Sequence, residues 1–273
     1  MRLLLDIVSI LLIVAAFLLV WGRWHESRSL FVPSAEHEHS PQDYSLKPEE
    51  VWLASGGGGE KIHGWYFAAN RKSSTILYVH GNAGTIADRL AVIKGYIESG
   101  YNVFIFDFRG FGKSDGKPDR KSFVQDTFTA YDYLTKSRGA AASDIVLLGQ
   151  SLGGAAALKL ANAKECRAVI LEGTFYSIRQ VARDIYPNIP IWLLASSYFD
   201  NSREVKKLAV PLLLIHGEND EVTPYYHSEM LFKDARKPKE FINIKGSDHT
   251  GMYIVNPAQY YGTIGRFIEG AQK

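Results

Sequence analysis

The stretch IVLLGQSLGGAAA at residues 145–157 decides the fold. Its first four residues form an apolar run without helical spacing, which predicts a short buried strand. The small residues after Ser151 predict a helix, so the serine lies on a sharp turn between strand and helix. G-x-S-x-G in this context is typical of a nucleophile elbow, in which Gly149 and Gly153 let strand and helix approach closely. Ser151 is the candidate nucleophile; the alternative is a glycine-rich turn in which the serine is incidental.

Strand and helix patterns alternate six times along the remaining chain, which predicts an α/β fold. Such alternation favours a mostly parallel central sheet with helices on both faces. A pair of β-like runs around four glycines at 56–59 predicts a hairpin at the start of this domain. The predicted strands cover residues 51–53, 62–68, 75–79, 103–106, 145–148, 168–171, 211–215 and 241–244.

Two residues that also follow predicted strands complete a catalytic triad with Ser151. Asp220 lies in HGENDEVTP after the strand at 211–215, and His249 lies in SDH after the last strand. The carboxyl ends of parallel strands share one edge of a sheet, so we expect the three side chains to converge there. His249 would act as the base, and Asp220 would orient it.

The triad assignment has alternatives. Asp220 would instead cap the helix that follows it, with Glu218 or Glu172 serving as the acid. His249 would be a structural loop histidine.

The loop HGNAG at 80–84 predicts an oxyanion hole. It follows an apolar strand, and its glycines let backbone N–H groups face a substrate. The backbone N–H groups of Asn82 and Leu152 are the predicted donors. We expect His80, and likewise Asp107 and Arg109 of the next loop, to brace their loops rather than act on substrate.

Residues 176–209 interrupt the alternation and predict a small helical lid over the serine. Prolines and apolar aromatic groups in this stretch would suit an acyl chain. The alternative is that the same side chains pack on the main core.

The amino-terminal residues 1–24 predict a single-pass transmembrane anchor. Residues 3–20 are apolar apart from Asp6 and Ser9, and this length nearly spans the hydrocarbon core of a bilayer. The stretch lacks the polar face of a buried core helix and the small-residue pattern of a signal-peptide cleavage site. Arg2 precedes it and Arg23 and Arg28 follow it, so the side of the membrane on which the domain lies stays open.

Residues 25–48 predict a polar linker to a catalytic domain at 49–273. His37 and His39 within it suggest a metal site, but a solvated linker offers them no partner, so we expect no metal there. The 273-residue chain carries a net charge of only +2, which gives no reason to expect a nucleic-acid partner. Its single cysteine, Cys166, excludes an internal disulfide. The oligomeric state stays open.

Taken together, these motifs resemble the α/β-hydrolase superfamily, and within it the bud-emergence-type group of membrane-tethered serine hydrolases. The matching pieces are HGNAG at 80–84, DFRGFGKS at 107–114, GQSLGG at 149–154, LEGTF at 171–175, HGENDEVTP at 216–224 and SDH at 247–249. The resemblance implies hydrolysis of acyl or lipid-like esters or thioesters through an acyl-serine intermediate, without a metal or organic cofactor. The amino terminus lacks the cysteine cluster that anchors the eukaryotic depalmitoylase-like members. The alternatives are a peptidase or amidase of the same fold and a non-catalytic membrane scaffold.

Overall fold

The computed structural model describes residues 30–69 and 74–271 of the chain. The strands are β1 (Val32–Pro33), β2 (Glu49–Ala54), β3 (Lys61–Phe67), β4 (Thr75–Val79), β5 (Ala83–Gly84), β6 (Asn102–Phe106), β7 (Ile145–Gln150), β8 (Ala168–Glu172), β9 (Leu212–Gly217) and β10 (Lys239–Ile244). The helices are α1 (Leu90–Glu98), α2 (Arg120–Asp132), α3 (Leu152–Ala161), α4 (Ile178–Ile185), α5 (Asn201–Val205), α6 (Tyr226–Asp234), α7 (Met252–Val255) and α8 (Pro257–Gly270).

Eight strands form one sheet in the order β10-β9-β8-β7-β4-β6-β3-β2. Within this sheet, β3 is the strand that points against the other seven, and it pairs antiparallel with β2 on one side and β6 on the other. The remaining pairs are parallel, which confirms the predicted mostly parallel sheet and the hairpin at its start. β7, which leads to Ser151, lies near the middle of the sheet.

Alternation along β7 explains why both faces of the sheet are covered. Leu147 belongs to a core on one face, while Val146 and Leu148 belong to a second core on the other. Side chains of α2 and α3 pack into the first core, and side chains of α1 and α8 pack into the second. The continuous apolar run therefore reflects a strand that is buried on both faces.

The segment predicted as a solvated linker is built onto the domain from residue 30 onward. Phe31 and Leu46 are buried, and β1 pairs with β5 in parallel. The reason is that the segment, although mostly polar, carries apolar residues at intervals that reach the two cores.

The predicted transmembrane helix at residues 3–20 lies outside the described residues. Within residues 30–69 and 74–271, no helix is both long enough and apolar enough to cross a bilayer. The predicted anchor therefore stays a prediction.

The predicted lid region lies between β8 and β9 and contains α4, a 3-10 turn at Pro190–Leu193 and α5. Phe199 and Val205 are buried in the first core, which fixes the carboxyl half of the region to the domain. Ile185, Ile189 and Leu193 are more than half exposed. The region thus divides into a packed half and an apolar half that faces solvent.

Candidate active site

Ser151 lies on a strained turn directly after β7. Its φ of 52° and ψ of −118° are values that side-chain-bearing residues rarely adopt. A Cβ on Gly149 would lie 2.5 Å from Gly154 Cα, and one on Gly153 would lie 2.0 Å from the carbonyl oxygen of Val79. Glycine at these positions is therefore required for the close approach of strand and helix, as the elbow pattern predicts.

The end of β8 holds the elbow in place. The Ser151 N–H donates to the carbonyl oxygen of Glu172 at 2.8 Å. The Thr174 hydroxyl lies 3.4 Å from the carbonyl oxygens of Gly149, Ser151 and Glu172 and has one proton to share among them. The strain at Ser151 is thus supported mainly by the backbone hydrogen bond to Glu172.

Asp220 and His249 are in direct contact at the same edge of the sheet. His249 Nδ1 lies 2.7 Å from Asp220 Oδ2, and the other carboxylate oxygen accepts from the N–H groups of Val222 and Thr223. Burial alone would raise the pKa of the Asp220 carboxyl, but hydrogen bonds from His216 and His249 hold it well below its ordinary value. The carboxylate is therefore charged at neutral pH and fixes His249 with Nδ1 protonated.

His216 is a supporting residue to which the sequence pattern assigned no role. It is fully buried, and its Nε2 lies 2.7 Å from the carbonyl oxygen of Thr223 and 3.0 Å from Asp220 Oδ2. Its Nδ1 lies 2.6 Å from Ser228 Oγ. Both ring nitrogens are thus paired, with Nε2 as donor. The signal in the sequence is its position at the end of a strand, four residues before Asp220.

Residues 172–174 connect the serine to the histidine. A Cβ on Gly173, whose φ is +55°, would lie 3.1 Å from His249 Cε1 and 3.5 Å from Asp220 Oδ2. Within the described part of the chain, no hydrogen bond joins Ser151 Oγ to His249. The contact between nucleophile and base is often loose in a protein without substrate.

Neither alternative acid is hydrogen-bonded to His249 among the described residues. Glu218 is exposed and accepts from the N–H of Gly246 at 3.3 Å. Glu172 is buried and accepts from Tyr260 Oη at 3.1 Å, and burial raises its pKa to about 7.

Asp220 is the carboxylate that contacts His249. The alternative is that Asp220 caps the following helix. Its second oxygen accepts from Val222 and Thr223 within the loop, whereas α6 begins at Tyr226 without a side-chain cap hydrogen bond.

The predicted oxyanion donors, Asn82 and Leu152, directly follow Gly81 and Ser151 in the chain. Leu152 is the first residue of α3, so its N–H has no partner within the helix. Within residues 30–69 and 74–271, no acceptor is paired with the backbone N–H of Asn82 or Leu152. A Cβ on Gly81 would lie 3.4 Å from Ser151 Cβ, which places the predicted loop beside the serine. Their role as donors stays a prediction.

The amino-terminal segment is hydrogen-bonded to the predicted oxyanion loop at residues 80–84. Val32 N–H donates to the carbonyl oxygen of Asn82 at 2.8 Å, and Asn82 Nδ2 donates to the carbonyl oxygen of Leu30 at 2.9 Å. His80 is fully buried, bonds its own loop at Gly81, and has a pKa that burial lowers to about 3. His80 therefore braces the loop as a neutral ring, as predicted.

The next loop is braced by charges. Arg109 donates to Asp126 Oδ1 at 2.8 Å, and Asp107 accepts from the N–H of Ile86 at 2.9 Å. The expectation that His37 is solvated and lacks a partner is wrong. His37 Nε2 lies 2.9 Å from Asp107 Oδ2 because the segment around it packs on the domain.

A cavity of about 240 Å³ adjoins the elbow. Two of its lining residues, Gln150 and Thr250, are the chain neighbours of Ser151 and His249. Its lining residues are Tyr78, Asp88, Arg89, Val92, Gln150, Glu172, Thr250, Tyr253 and Ile254.

Comparisons with known proteins identify the family. The family model described as serine aminopeptidase, S33, matches residues 70–199. An uncharacterized protein of Escherichia coli, YfhR, is 36% identical over 199 residues, or 70% of each chain. Protein bem46 of Schizosaccharomyces pombe is 32% identical over 228 residues, which cover 75% of this chain and 73% of that protein.

The chain belongs to the α/β-hydrolase superfamily.

Further similarities place this hydrolase in the bem46-like group. The α/β hydrolase domain-containing protein WAV2 of Arabidopsis thaliana is 30% identical over 89% of this chain and 87% of its own length. Among solved structures, an esterase of Pyrococcus furiosus superposes with a TM-score of 0.73 at 20% identity, covering 89% of this chain and 98% of that one. At that identity the likeness establishes the shared fold.

Proposed function

We propose that this hydrolase cleaves carboxylic esters or thioesters of acyl or lipid-like substrates through an acyl-serine intermediate. The observation that carries the proposal is the 2.7 Å contact between Asp220 and His249 at the same sheet edge as a serine held at a φ of 52°. Ser151 attacks the acyl carbon, His249 takes its proton and returns it to the leaving group, and Asp220 orients the ring. The N–H groups of Asn82 and Leu152 stabilise the oxyanion.

Exposed apolar side chains support a lipid-like substrate. Of the nine large hydrophobic residues that are exposed within the described ranges, seven lie in the lid region or close in sequence to Asp220 and His249. The seven are Ile185, Tyr186, Ile189, Leu193, Val222, Ile254 and Val255. Apolar groups beside a polar pocket suit a substrate with an acyl chain and a small polar head.

Hydrolysis of p-nitrophenyl esters of graded chain length tests the proposal. We expect turnover by the wild-type protein and a loss of at least about 10³-fold in Ser151→Ala, because the nucleophile is removed. Ser143→Ala, an exposed serine at the opposite edge of the sheet, is the matched control. Covalent labelling by a fluorophosphonate is expected in the wild-type protein and absent in Ser151→Ala. Unchanged turnover in Ser151→Ala would refute the mechanism.

The match to a serine aminopeptidase family favours a second candidate, hydrolysis of an amino-terminal peptide bond by the same residues. Aminoacyl p-nitroanilides distinguish the two. Turnover of anilides in excess of esters would favour the peptidase. A non-catalytic scaffold predicts neither turnover nor labelling of Ser151.

We also propose that residues 3–20 anchor the protein in a membrane, a proposal that rests on their apolar sequence alone. The protein should sediment with membranes and resist a high-salt wash. Recovery of the full chain in the soluble fraction would refute the anchor.

A further inference from the structure

Three ligand atoms from distant parts of the chain meet beside the loop that follows β6. His37, His63 and Asp107 each offer one ligand atom, and these three atoms lie within 4.8 Å of one another. His37 lies in the amino-terminal segment, His63 is on β3, and Asp107 directly follows β6. The side chains of His63 and Asp107 are fully buried, and that of His37 is 11% exposed. The cluster therefore lies in a setting of low dielectric, where unpaired polar groups are costly.

The free lone pair of His63 is the first reason to expect a ligand. His63 Nε2 lies 2.9 Å from Glu50 Oε1, and a carboxylate only accepts, so Nε2 carries the proton. His63 Nδ1 is buried and finds no hydrogen-bond partner among the described residues. A second proton on Nδ1 would not give this atom a partner. Nδ1 is 3.6 Å from Asp107 Oδ2, which is too long for a good hydrogen bond.

The spacing of the three atoms suits a first-row metal ion. Zn²⁺ binds histidine nitrogen and carboxylate oxygen at about 2.0–2.2 Å, so tetrahedral ligand atoms lie roughly 3.3 Å apart. The 2.9 Å from His37 Nε2 to Asp107 Oδ2 and the 3.6 Å from His63 Nδ1 to the same oxygen lie on either side of this value. The three ligand atoms lie within 4.8 Å of one another, so shifts of roughly 1.5 Å or less would bring them to the spacing of metal ligands.

The groups around the cluster match those that orient metal ligands in proteins. Glu50 accepts from the far nitrogen of His63, which is the common carboxylate–histidine arrangement around a metal. Asp107 Oδ1 accepts from the N–H of Ile86, which leaves Oδ2 as a single ligand atom. The ring of His37 packs edge-on against Trp65 at a centroid distance of 5.1 Å, which fixes its direction.

A glycine keeps the space open. Gly112 has a φ of +50°, and a Cβ there would lie 2.1 Å from Asp107 Oδ2 and 2.7 Å from His37 Nε2. A cavity of about 450 Å³, lined in part by His37, Glu50 and Lys113, adjoins the cluster. It provides an entry path and room for a water molecule as fourth ligand.

We propose that His37, His63 and Asp107 form a binding site for a divalent transition-metal ion of the zinc class, with its fourth position open to the adjoining cavity. Two imidazoles and one carboxylate select this class over Mg²⁺ and Ca²⁺, which prefer oxygen ligands. The ion fastens the amino-terminal segment to β3 and β6. The same segment pairs with the oxyanion loop through Val32, so the site supports the geometry of that loop.

Binding of Zn²⁺ alone tests the site. The full chain in detergent is freed of metal with a chelator, exchanged into chelator-free buffer and titrated calorimetrically, with bound metal counted by mass spectrometry. We expect one equivalent with a dissociation constant of roughly 1 µM or lower. His37→Gln should weaken binding by more than about 100-fold; His37 is the least buried of the three ligands, and glutamine is of similar size. Glu50→Gln should weaken binding by about tenfold. Circular dichroism verifies that the variants are folded.

Matched controls separate this site from other histidines. His39→Gln, two residues away and exposed, should bind like the wild-type protein. His249→Gln should also retain the equivalent of Zn²⁺. Absence of binding by the wild-type protein would overturn the proposal, as would equal binding by His37→Gln or equal affinity for Mg²⁺. The titration uses no substrate, so its outcome is independent of the proposed hydrolysis.

Discussion

Asp220 and Asp107 lie at the same edge of the sheet, and each is a buried carboxylate near two histidines. Asp220 Oδ2 lies 2.7 Å from His249 Nδ1 and 3.0 Å from His216 Nε2. Asp107 Oδ2 lies 2.9 Å from His37 Nε2 and 3.6 Å from His63 Nδ1. The residue types are the same, but the hydrogen bonds around them differ.

The difference lies in how many of the polar atoms have partners. Around Asp220, His216 is paired at both nitrogens and Asp220 Oδ1 accepts two backbone N–H groups, which leaves His249 to exchange a proton. Around Asp107, His63 Nδ1 has no partner among the described residues, and two imidazoles converge on one oxygen. A fully paired cluster suits proton transfer, whereas a cluster with converging lone pairs suits a cation.

The largest expected effect separates the two aspartates. Asp220→Asn should lower kcat for ester hydrolysis by about 10³- to 10⁴-fold, because the imidazole loses the partner that fixes its tautomer. It should leave Zn²⁺ binding unchanged, whereas Asp107→Asn should abolish that binding. Steady-state kinetics and the titration above measure the two effects. Asp144→Asn is the control, because Asp144 is exposed and lies at the amino end of β7. A kcat for Asp220→Asn within tenfold of the wild-type value would contradict the assignment of Asp220.

A third carboxylate at this edge, Glu172, sharpens the comparison because it has few partners. One of its oxygens accepts from Tyr260, and the other finds no partner among the described residues. Burial raises its pKa from 4.5 to about 7, so the folded protein binds more protons than the unfolded chain between these values. Its contribution to stability is therefore present below about pH 4.5 and is lost as the pH rises through about 7, a change of about 3 kcal/mol.

Glu172→Gln tests this pH dependence. The free energy of unfolding, measured with urea in the presence of chelator, should vary less between pH 5 and pH 8 than in the wild-type protein. At pH 8 the variant should be more stable than the wild type by up to about 3 kcal/mol. Glu218→Gln is the control, because Glu218 is exposed and follows β9, the strand next to β8. Identical slopes in Glu172→Gln and the wild type would show that Glu172 does not carry this effect.

A smaller effect is expected where the amino-terminal segment meets Asp107. In metal-free protein, His37→Ala should lower the free energy of unfolding by about 1–3 kcal/mol, because a buried carboxylate loses its hydrogen bond. His39→Ala should change it by less than about 0.5 kcal/mol, since His39 is exposed. Equal stabilities of these two variants would mean that the His37 contact contributes nothing to folding.

The smallest effect concerns the rim of the same cluster. Lys113 Nζ lies 3.1 Å from Glu50 Oε1, but both side chains are half exposed. Lys113→Ala should therefore lower the free energy of unfolding by no more than about 1 kcal/mol in urea denaturation. If Lys113→Ala lowered the free energy of unfolding as much as His37→Ala does, the exposed Lys113–Glu50 pair would stabilise the fold as much as the buried contact of His37.

Much of the triad side of this comparison follows from sequence. Ser151 and Asp220 follow the buried strands β7 and β9, His249 follows the half-buried edge strand β10, and parallel strands bring their carboxyl ends to one edge. The contact between Asp220 and His249 needs no more than this rule. The identity of the supporting residues is harder to predict, because His216 and Gly173 act through ring and backbone packing that a one-dimensional pattern does not contain.

The cluster around Asp107 could not be predicted from sequence in the same way. His37 lies 70 residues from Asp107 in a stretch without periodicity, and its contact depends on the path of residues 30–48 across the domain. Proline-rich polar composition predicts exposure, but Phe31 and Leu46 are buried and hold the segment down. Gly112 looks like any loop glycine until its distance to Asp107 is known.

The pairing of β1 with β5 sets a boundary for anyone who trims the chain to obtain a catalytic fragment for crystallisation. A cut at residue 49, where composition alone would start the domain, removes Leu30 and Val32 and with them both hydrogen bonds to Asn82. Such a fragment would keep Ser151, Asp220 and His249 and yet lose the support of the loop at residues 80–84. Fragments should therefore begin before residue 30.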